Sequence, residues 1–267
     1  MKTTEYLRED KLPHIWCPGC GNGIVISNII RAVDALNLKR ENTVIVSGIG
    51  CSSRAAGYMN FDTLHTTHGR AIPFATGIKM ANPDLNVIVI SGDGDATAIG
   101  GNHFIHASRR NLDLTLIVVN NNIYGMTSGQ YSPLTPTGKI ATTAPYGNID
   151  RPFDLCELAE AAGATYVARG SVYHVQQLKR YVEHGIQNKG FSVIEALSIC
   201  PTYFGRKNKM GSPVKMLEGI RDNAVMYNGK NKEEGKDKFL IGEFKNEPDR
   251  EYTESYQKII DSLKEGK

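Results

Sequence analysis

The chain has 267 residues, within the range of one large α/β domain, and nothing before residue 229 reads as a linker; one domain at 1–228 with a charged tail at 229–267 is expected. Its net charge of only +3, with no basic stripe interleaved with aromatics, argues against a nucleic-acid partner and fits a soluble enzyme subunit. No apolar run approaches the ~20 residues of a membrane span, and MKTTEYLREDKLPHIW lacks a signal-peptide core, so a cytoplasmic location is expected.

Five cysteines, at 17, 20, 51, 156 and 200, form no regular disulfide framework; reduced thiols or thiolate ligands are the expectation. Cys17-Pro18-Gly19-Cys20 is a C-x-x-C in a tight turn before a helix-like stretch over 21–36. Two sulfurs on one turn can grip a metal centre, act as a redox dithiol or form half of a zinc site, and the motif alone leaves all three open. A short buried strand over 43–47 then runs into Gly48-Ile49-Gly50-Cys51-Ser52-Ser53-Arg54, a glycine turn that puts a third sulfur at a strand's carboxyl end. His68, Gly69 and Arg70 precede a helix-like run that contains Pro73, Phe74, Ile78 and Met80.

Residues 86–124 organise the rest. An apolar run, Val87 to Ile90, ends at Gly92-Asp93-Gly94-Asp95; an amphipathic stretch follows, and a second apolar run, Leu114 to Val119, ends at Asn120-Asn121-Asn122. This pattern predicts a strand, a glycine turn, a helix and a second strand. In a parallel βαβ unit both strands point the same way, so Asp93 and Asn121 emerge together at the sheet edge where ligands of open α/β sheets bind. Glycine on both sides of Asp93 lets backbone approach a diphosphate, and a carboxylate and an amide oxygen suit Mg²⁺.

Beyond this unit, residues 124–146 are rich in Thr, Gly, Pro and Ser, a plausible cover for a ligand edge. An apolar stripe over 152–162 ends at Gly163 and predicts a helix that carries Cys156, a small core hydrophobe rather than a ligand. A strand over 165–168, a helix over 172–188 and a strand over 191–197 supply one more α/β repeat, and the last strand delivers Cys200. A helix over 214–227 is expected, then a polar stretch, an apolar island at 239–244 and an amphipathic end near 256–263. That tail is expected to cross the surface of a partner subunit.

The 92–122 segment resembles the thiamine diphosphate (ThDP) motif, which begins GDG and ends NN. The resemblance implies Asp93 and Asn121 as side-chain ligands of Mg²⁺, with Ile123 contributing its backbone carbonyl. Across most of the chain, WCPGCGNG, SGIGCSSR, THGRAIPFATGIKMANP, GDGD, NNNIYGMTSGQ and CPTYFGR resemble, in this order, the β subunit of 2-oxoacid:ferredoxin oxidoreductases. The fold this implies is a doubly wound, mostly parallel α/β sheet of the diphosphate-binding type. Implied cofactors are ThDP, Mg²⁺ and a [4Fe–4S] cluster on Cys17, Cys20, Cys51 and Cys200. Implied ThDP contacts are Ile49, Gly50, Cys51, Ser52, His68, Gly69, Arg70, Gly92, Gly94, Asp95, Gly125 and Met126, with His68 also catalytic.

The implied reaction is oxidative decarboxylation of a 2-oxoacid with CoA and ferredoxin, run in either direction by a heteromer. CPTYFGRKNKMG is most similar to the 2-oxoglutarate branch, and Arg54 is a candidate for the distal carboxylate of such a substrate. Pyruvate or branched-chain 2-oxoacids, a non-oxidative ThDP lyase and a zinc-stabilised assembly subunit are the competing readings. Relatives of this kind activate ThDP with a glutamate from a separate domain, and 15–200 are used up by one domain. An α subunit supplying that glutamate is therefore expected, with room for further small subunits; Glu243 and Glu247 are the only rivals within the chain.

Overall fold

The computed structural model describes residues 3–231 and 238–264. Among them, eight strands form one sheet: β1 (Thr43–Ser47), β2 (Asp62–His65), β3 (Asn86–Gly92), β4 (Leu114–Asn120), β5 (Tyr166–Ser171), β6 (Phe191–Leu197), β7 (Ala224–Met226) and β8 (Phe239–Asn246). Their order is β2-β1-β3-β4-β6-β5-β8-β7. The six from β2 to β5 in that order are parallel, while β8 joins β5 antiparallel and β7 runs parallel to β8.

Strands buried on both faces need apolar residues at every position, which is why the central strands are near-continuous Val, Ile and Leu runs. Alternate residues serve opposite cores. Ile88, Ile90, Ile117 and Val119 pack with helices α1 (Asn22–Ala35) and α6 (Val175–Gln187). Val87, Val89, Leu114, Leu116 and Val118 pack with α3 (Ala71–Ala81), α4 (Gly101–Arg110) and α5 (Leu155–Ala162). The short helix α2 (Ala55–Tyr58) follows β1, and α7 (Pro213–Asn223) follows β6. The doubly wound α/β architecture expected from the sequence is the one observed.

Several boundaries differ from the sequence expectation, each for a local reason. The helix expected from 152 starts at Leu155, because Asp154 accepts a hydrogen bond from Glu157 N and caps it; Gly163 ends it with φ 101°. The helix expected over 214–227 stops at Asn223, because residues 224–226 pair with β8. Strand β2 has no apolar signature, being a four-residue edge with both its ends exposed.

The island at 239–244 is β8 of this chain's own sheet, with Leu240 and Ile241 buried, and it closes an edge that β5 would otherwise leave open. The segment that follows is also tied down: Asn111 Nδ2 donates to Asp249 O and Arg250 O, and Glu251 accepts from Asp113 N. Glu251 then caps α8 (Tyr252–Lys264) through Thr253 N and Glu254 N. Residues 232–237 and 265–267 of the expected tail lie outside the described residues.

Candidate functional site

β1 has β2 on one side and β3 on the other, so the chain reverses its direction of winding there, and the crevice at the carboxyl ends of β1 and β3 is the usual ligand site of such sheets. A cavity of about 230 Å³ lies at this edge. Thirteen residues expected from the sequence line it: Ile49, Gly50, Cys51, Ser52, His68, Gly92, Asp93, Gly94, Asp95, Asn121, Ile123, Gly125 and Met126. Tyr124 and Thr127 also line it and were not singled out from the sequence. Gly69, Arg70 and Arg54 do not line it.

Asp93 is buried, and Ser132 Oγ donates to its Oδ2 at 2.5 Å. Burial pushes its carboxyl up to about 7, against the opposing pull of Ser132. No cationic side chain pairs with it among the described residues. A buried acid without a countercharge suits a divalent cation. Asn121 Oδ1 accepts from Ile123 N at 3.2 Å and keeps a second lone pair, while Asn122 at φ 62° turns the backbone.

Asp95 is occupied by protein groups. Its Oδ1 accepts from Gly69 N at 2.7 Å, His68 Nδ1 at 2.6 Å and Ile49 N at 3.2 Å, and its Oδ2 accepts from Ser91 Oγ at 2.5 Å. The carboxylate thus ties three loops together, and by holding Nδ1–H it leaves His68 Nε2 available to the cavity. The packing is close enough that a Cβ at Gly48 would fall 1.9 Å from Asp95 Oδ2. Arg70 turns away, donating to Gly69 O and Ile99 O at 3.3 Å.

Gly94 has a reason visible only in three dimensions. A Cβ there would sit 2.1 Å from Cζ of Tyr124, whose hydroxyl donates to Gly94 O at 2.9 Å. Burial pushes that phenol up to about 12. Sequence reasoning missed Tyr124 because a lone tyrosine after an asparagine run has no spacing that marks it.

Cys17, Cys20, Cys51 and Cys200 come together beside this cavity. Trp16 Nε1 donates to Cys51 O at 2.7 Å, and Gly21 N donates to Ile199 O at 3.2 Å, which clips the C-x-x-C turn to the ends of β1 and β6. Cys20 is pushed up to about 12, first by burial and then by its neighbours Cys200, Cys51 and Cys17; burial and the same kind of neighbour, Cys200 and Cys17, raise Cys51 to about 11. All four are free thiols. Cys156 stands apart in the core, its Sγ 3.6 Å from Glu195 Oε2.

Four thiolates can hold either a tetrahedral zinc ion or a [4Fe–4S] cluster. Among the described residues no three His, Cys, Asp or Glu side chains are already arranged around a single ion. The buried side chains of Asn22, Ser53 and Ser198, each two positions from one of these cysteines, also have polar atoms without hydrogen-bond partners in the chain.

Behind the Asn120–Asn122 turn lies a buried ionic group. Asn120 Nδ2 donates to Glu195 Oε1 at 2.7 Å and Asn120 Oδ1 accepts from Asn122 N at 3.1 Å. Arg169 Nε donates to Glu195 Oε2 at 2.6 Å, and its Nη2 to Asp154 Oδ1 at 2.7 Å. Burial raises Asp154, but Arg169 and the Glu157 N–H overcome it and hold the carboxyl below its usual range. A larger cavity, about 880 Å³, opens here, yet its buried charges Arg169 and Glu195 satisfy each other, so the smaller cavity holds the uncompensated chemistry.

Residues 48–196 match the family described as thiamine pyrophosphate enzyme, C-terminal TPP binding domain. The 2-oxoglutarate synthase subunit KorB of Methanocaldococcus jannaschii is 55% identical over 263 residues, 97% of each chain. The chain belongs to the β subunits of 2-oxoacid:ferredoxin oxidoreductases. Within them it is most like the 2-oxoglutarate branch: the Archaeoglobus fulgidus KorB subunit is 49% identical over 262 residues, covering 98% of this chain and 96% of that one. A solved 2-oxoglutarate:ferredoxin oxidoreductase from Magnetococcus marinus, with 2-oxoglutarate, coenzyme A and succinyl-CoA bound, superposes with a TM-score of 0.89 at 31% identity, over 98% of this chain and 91% of that one. Among the described residues no helix is long and apolar enough to cross a membrane.

Proposed function

We propose that this β subunit, with a partner α subunit, oxidatively decarboxylates 2-oxoglutarate: CoA takes the succinyl group, CO₂ leaves, and two electrons pass singly to ferredoxin, with the reverse reaction open to the same site. The observation that carries the reading is the position of Gly125. A Cβ there would lie 3.4 Å from Cys51 Sγ and 3.7 Å from Cys200 Sγ, while Gly125 itself lines the cavity that holds Asp93 and Asn121. A diphosphate-metal cradle and a four-thiolate group thus share one wall.

Each role falls to residues already placed. Asp93, Asn121 and the Ile123 carbonyl hold Mg²⁺, and Asp93 supplies the full negative charge. Gly92 and Gly94 admit the diphosphate closely; Gly50, with φ 131° and open space where a Cβ would stand, does the same from the opposite loop. Cys17, Cys20, Cys51 and Cys200 hold the [4Fe–4S] cluster. When bound, ThDP supplies the electron sink for loss of CO₂, and the cluster accepts electrons one at a time.

His68, oriented by Asp95, presents Nε2 to the cavity for a contact with cofactor or substrate. Arg54 sits just past Cys51 with a buried Nε that has no partner in this chain, which suits a guanidinium kept for a carboxylate brought from outside. No glutamate lines the cavity, and Glu243 is held by Tyr166 OH at 2.8 Å and His184 Nδ1 at 2.6 Å near the amino end of β5. The partner subunit therefore brings the activating glutamate. The outer face of α8, with Tyr256, Ile259 and Leu263 exposed, is the part of the C-terminal segment open to that partner.

An anaerobic assay of the native complex against 2-oxoglutarate, pyruvate and branched-chain 2-oxoacids, with CoA and a low-potential acceptor, tests the proposal. 2-Oxoglutarate should give the highest kcat/KM; preference for pyruvate would overturn the substrate assignment, and CO₂ release without acceptor reduction would overturn the oxidative reading.

A further inference from the structure

From Ser198 to Leu217 the chain carries Arg206, Lys207, Lys209 and Lys215 and no acid, although the chain as a whole is only +3. Arg206, Lys209 and Lys215 are exposed and Lys207 is half-buried. None has a carboxylate partner among the described residues. The fold adds a fifth cation to the same face. Asn208 Oδ1 accepts from Ile140 N at 2.9 Å and its Nδ2 donates to Ile140 O at 3.0 Å, which clips exposed Lys139 against the 206–209 turn.

This face adjoins the cysteines. Cys200 begins the segment, and a Cβ at Gly19 of the C-x-x-C turn would lie 2.4 Å from Pro213 Cγ and 3.7 Å from Pro201 Cγ. The C-x-x-C turn, with Cys17 exposed, therefore packs through Gly19 against the start of α7 at Pro213, two residues before Lys215. Val214, beside Lys215, is 63% exposed and Ile140, beside Lys139, 38% exposed, so apolar surface accompanies the cations, as in transient docking surfaces.

We propose that this face docks the acidic one-electron carrier, and that Lys139, Arg206, Lys207, Lys209 and Lys215 steer it toward the edge formed by Cys17 and Cys200. The proposal rests on the reading that Cys17, Cys20, Cys51 and Cys200 hold a cluster. Single-electron transfer requires the two centres to approach closely, and a thiolate-bound iron–sulfur carrier brings net negative charge. Unpaired cations beside the exit point raise the rate of encounter without slowing release, and the effect decays over a Debye length of about 8 Å at physiological salt.

The test uses the intact complex with the double substitution Lys207→Glu/Lys209→Glu and, separately, Lys139→Glu/Lys215→Glu. The second pair uses only exposed side chains and guards against damage to the 206–209 turn. With a ferredoxin of net negative charge, KM for the carrier should rise by at least about tenfold at low ionic strength, and the dependence of kcat/KM on salt should flatten. Turnover with a small viologen dye should not fall. An unchanged carrier KM in both variants would overturn the docking face, and so would a rise in KM for CoA in place of the carrier, which would make the patch a phosphate site. The EPR signal of the dithionite-reduced cluster separates the two levels: its absence from the wild-type complex overturns the cluster reading itself, whereas its presence with unaltered carrier kinetics overturns only the docking face.

Discussion

Gly125 lies against Cys51, so that a methyl group at position 125 would meet the Cys51 sulfur at 3.4 Å, ordinary van der Waals contact. Gly125→Ala is therefore expected to be tolerated. Gly125→Val, with two further methyl groups on the wall shared by cradle and thiols, should weaken ThDP binding and lower iron retention together. Equilibrium dialysis of ThDP and iron content per chain in the anaerobic variant check this; loss of only one of the two would mean that the wall is not shared.

Asp93 is expected to give the apo-chain a pH dependence of definite sign. Its carboxyl, near 3.8 when unfolded and about 7 when folded, makes the folded state bind more protons between those values. Apo-stability should therefore fall as pH rises from ~4 to ~7, and Asp93→Asn should flatten that slope. Mg²⁺ with ThDP should restore stability at pH 8 in the wild type and not in Asp93→Asn. Urea denaturation at several pH values, with and without Mg²⁺ and ThDP, reads both effects.

The cysteines separate cleanly by position. Cys200→Ser should lose the cluster and retain ThDP binding, because Asp93 and Asn121 are built on other strands. Cys156→Ser should keep full iron content, since its sulfur touches Glu195 in the opposite core. Iron and acid-labile sulfide analysis of the two variants, prepared without oxygen, distinguishes them.

Glu195 joins the Asn120–Asn122 turn to the rest of the sheet, and its two interactions can be parted. Glu195→Ala removes a buried partner of Arg169 and should cost about 3 kcal/mol of stability. It should also weaken Mn²⁺ binding in the presence of ThDP, because Asn120 loses its acceptor and the Asn122 turn loosens. Glu195→Gln keeps an oxygen for Asn120 and should retain Mn²⁺ affinity despite lowered stability. Equal loss of affinity in both variants would remove Glu195 from the positioning role.

Much of this was legible in the sequence because it rests on local chemistry. The central strands announced themselves as apolar runs, and the glycines around Asp93 and the asparagines at the end of β4 marked their strand ends. What was not legible depends on contacts between distant parts of the chain. Tyr124 is explained by Gly94, thirty residues earlier, and Asp95 is taken up by His68 and Gly69 from another loop. The island at 239–244 is a short apolar run inside a charged tail, and only the open edge of β5 makes it a strand of this sheet. Glu195 and Arg169 sit in β strands whose neighbours are apolar, with nothing in their spacing to show that they pair.

The central claim is that one chain holds the diphosphate-metal cradle and the cluster close enough to exchange electrons. Freeze-quench EPR of the anaerobic complex, loaded with ThDP and Mg²⁺ and mixed with 2-oxoglutarate and CoA without ferredoxin, tests it most directly. The account predicts that a reduced [4Fe–4S] signal grows in on the timescale of turnover in the wild type and is absent from Asp93→Ala, which should still show the cluster when reduced by dithionite. A complex that contains ThDP and releases CO₂ from 2-oxoglutarate while its cluster stays oxidised, or that contains no iron at all, would contradict it.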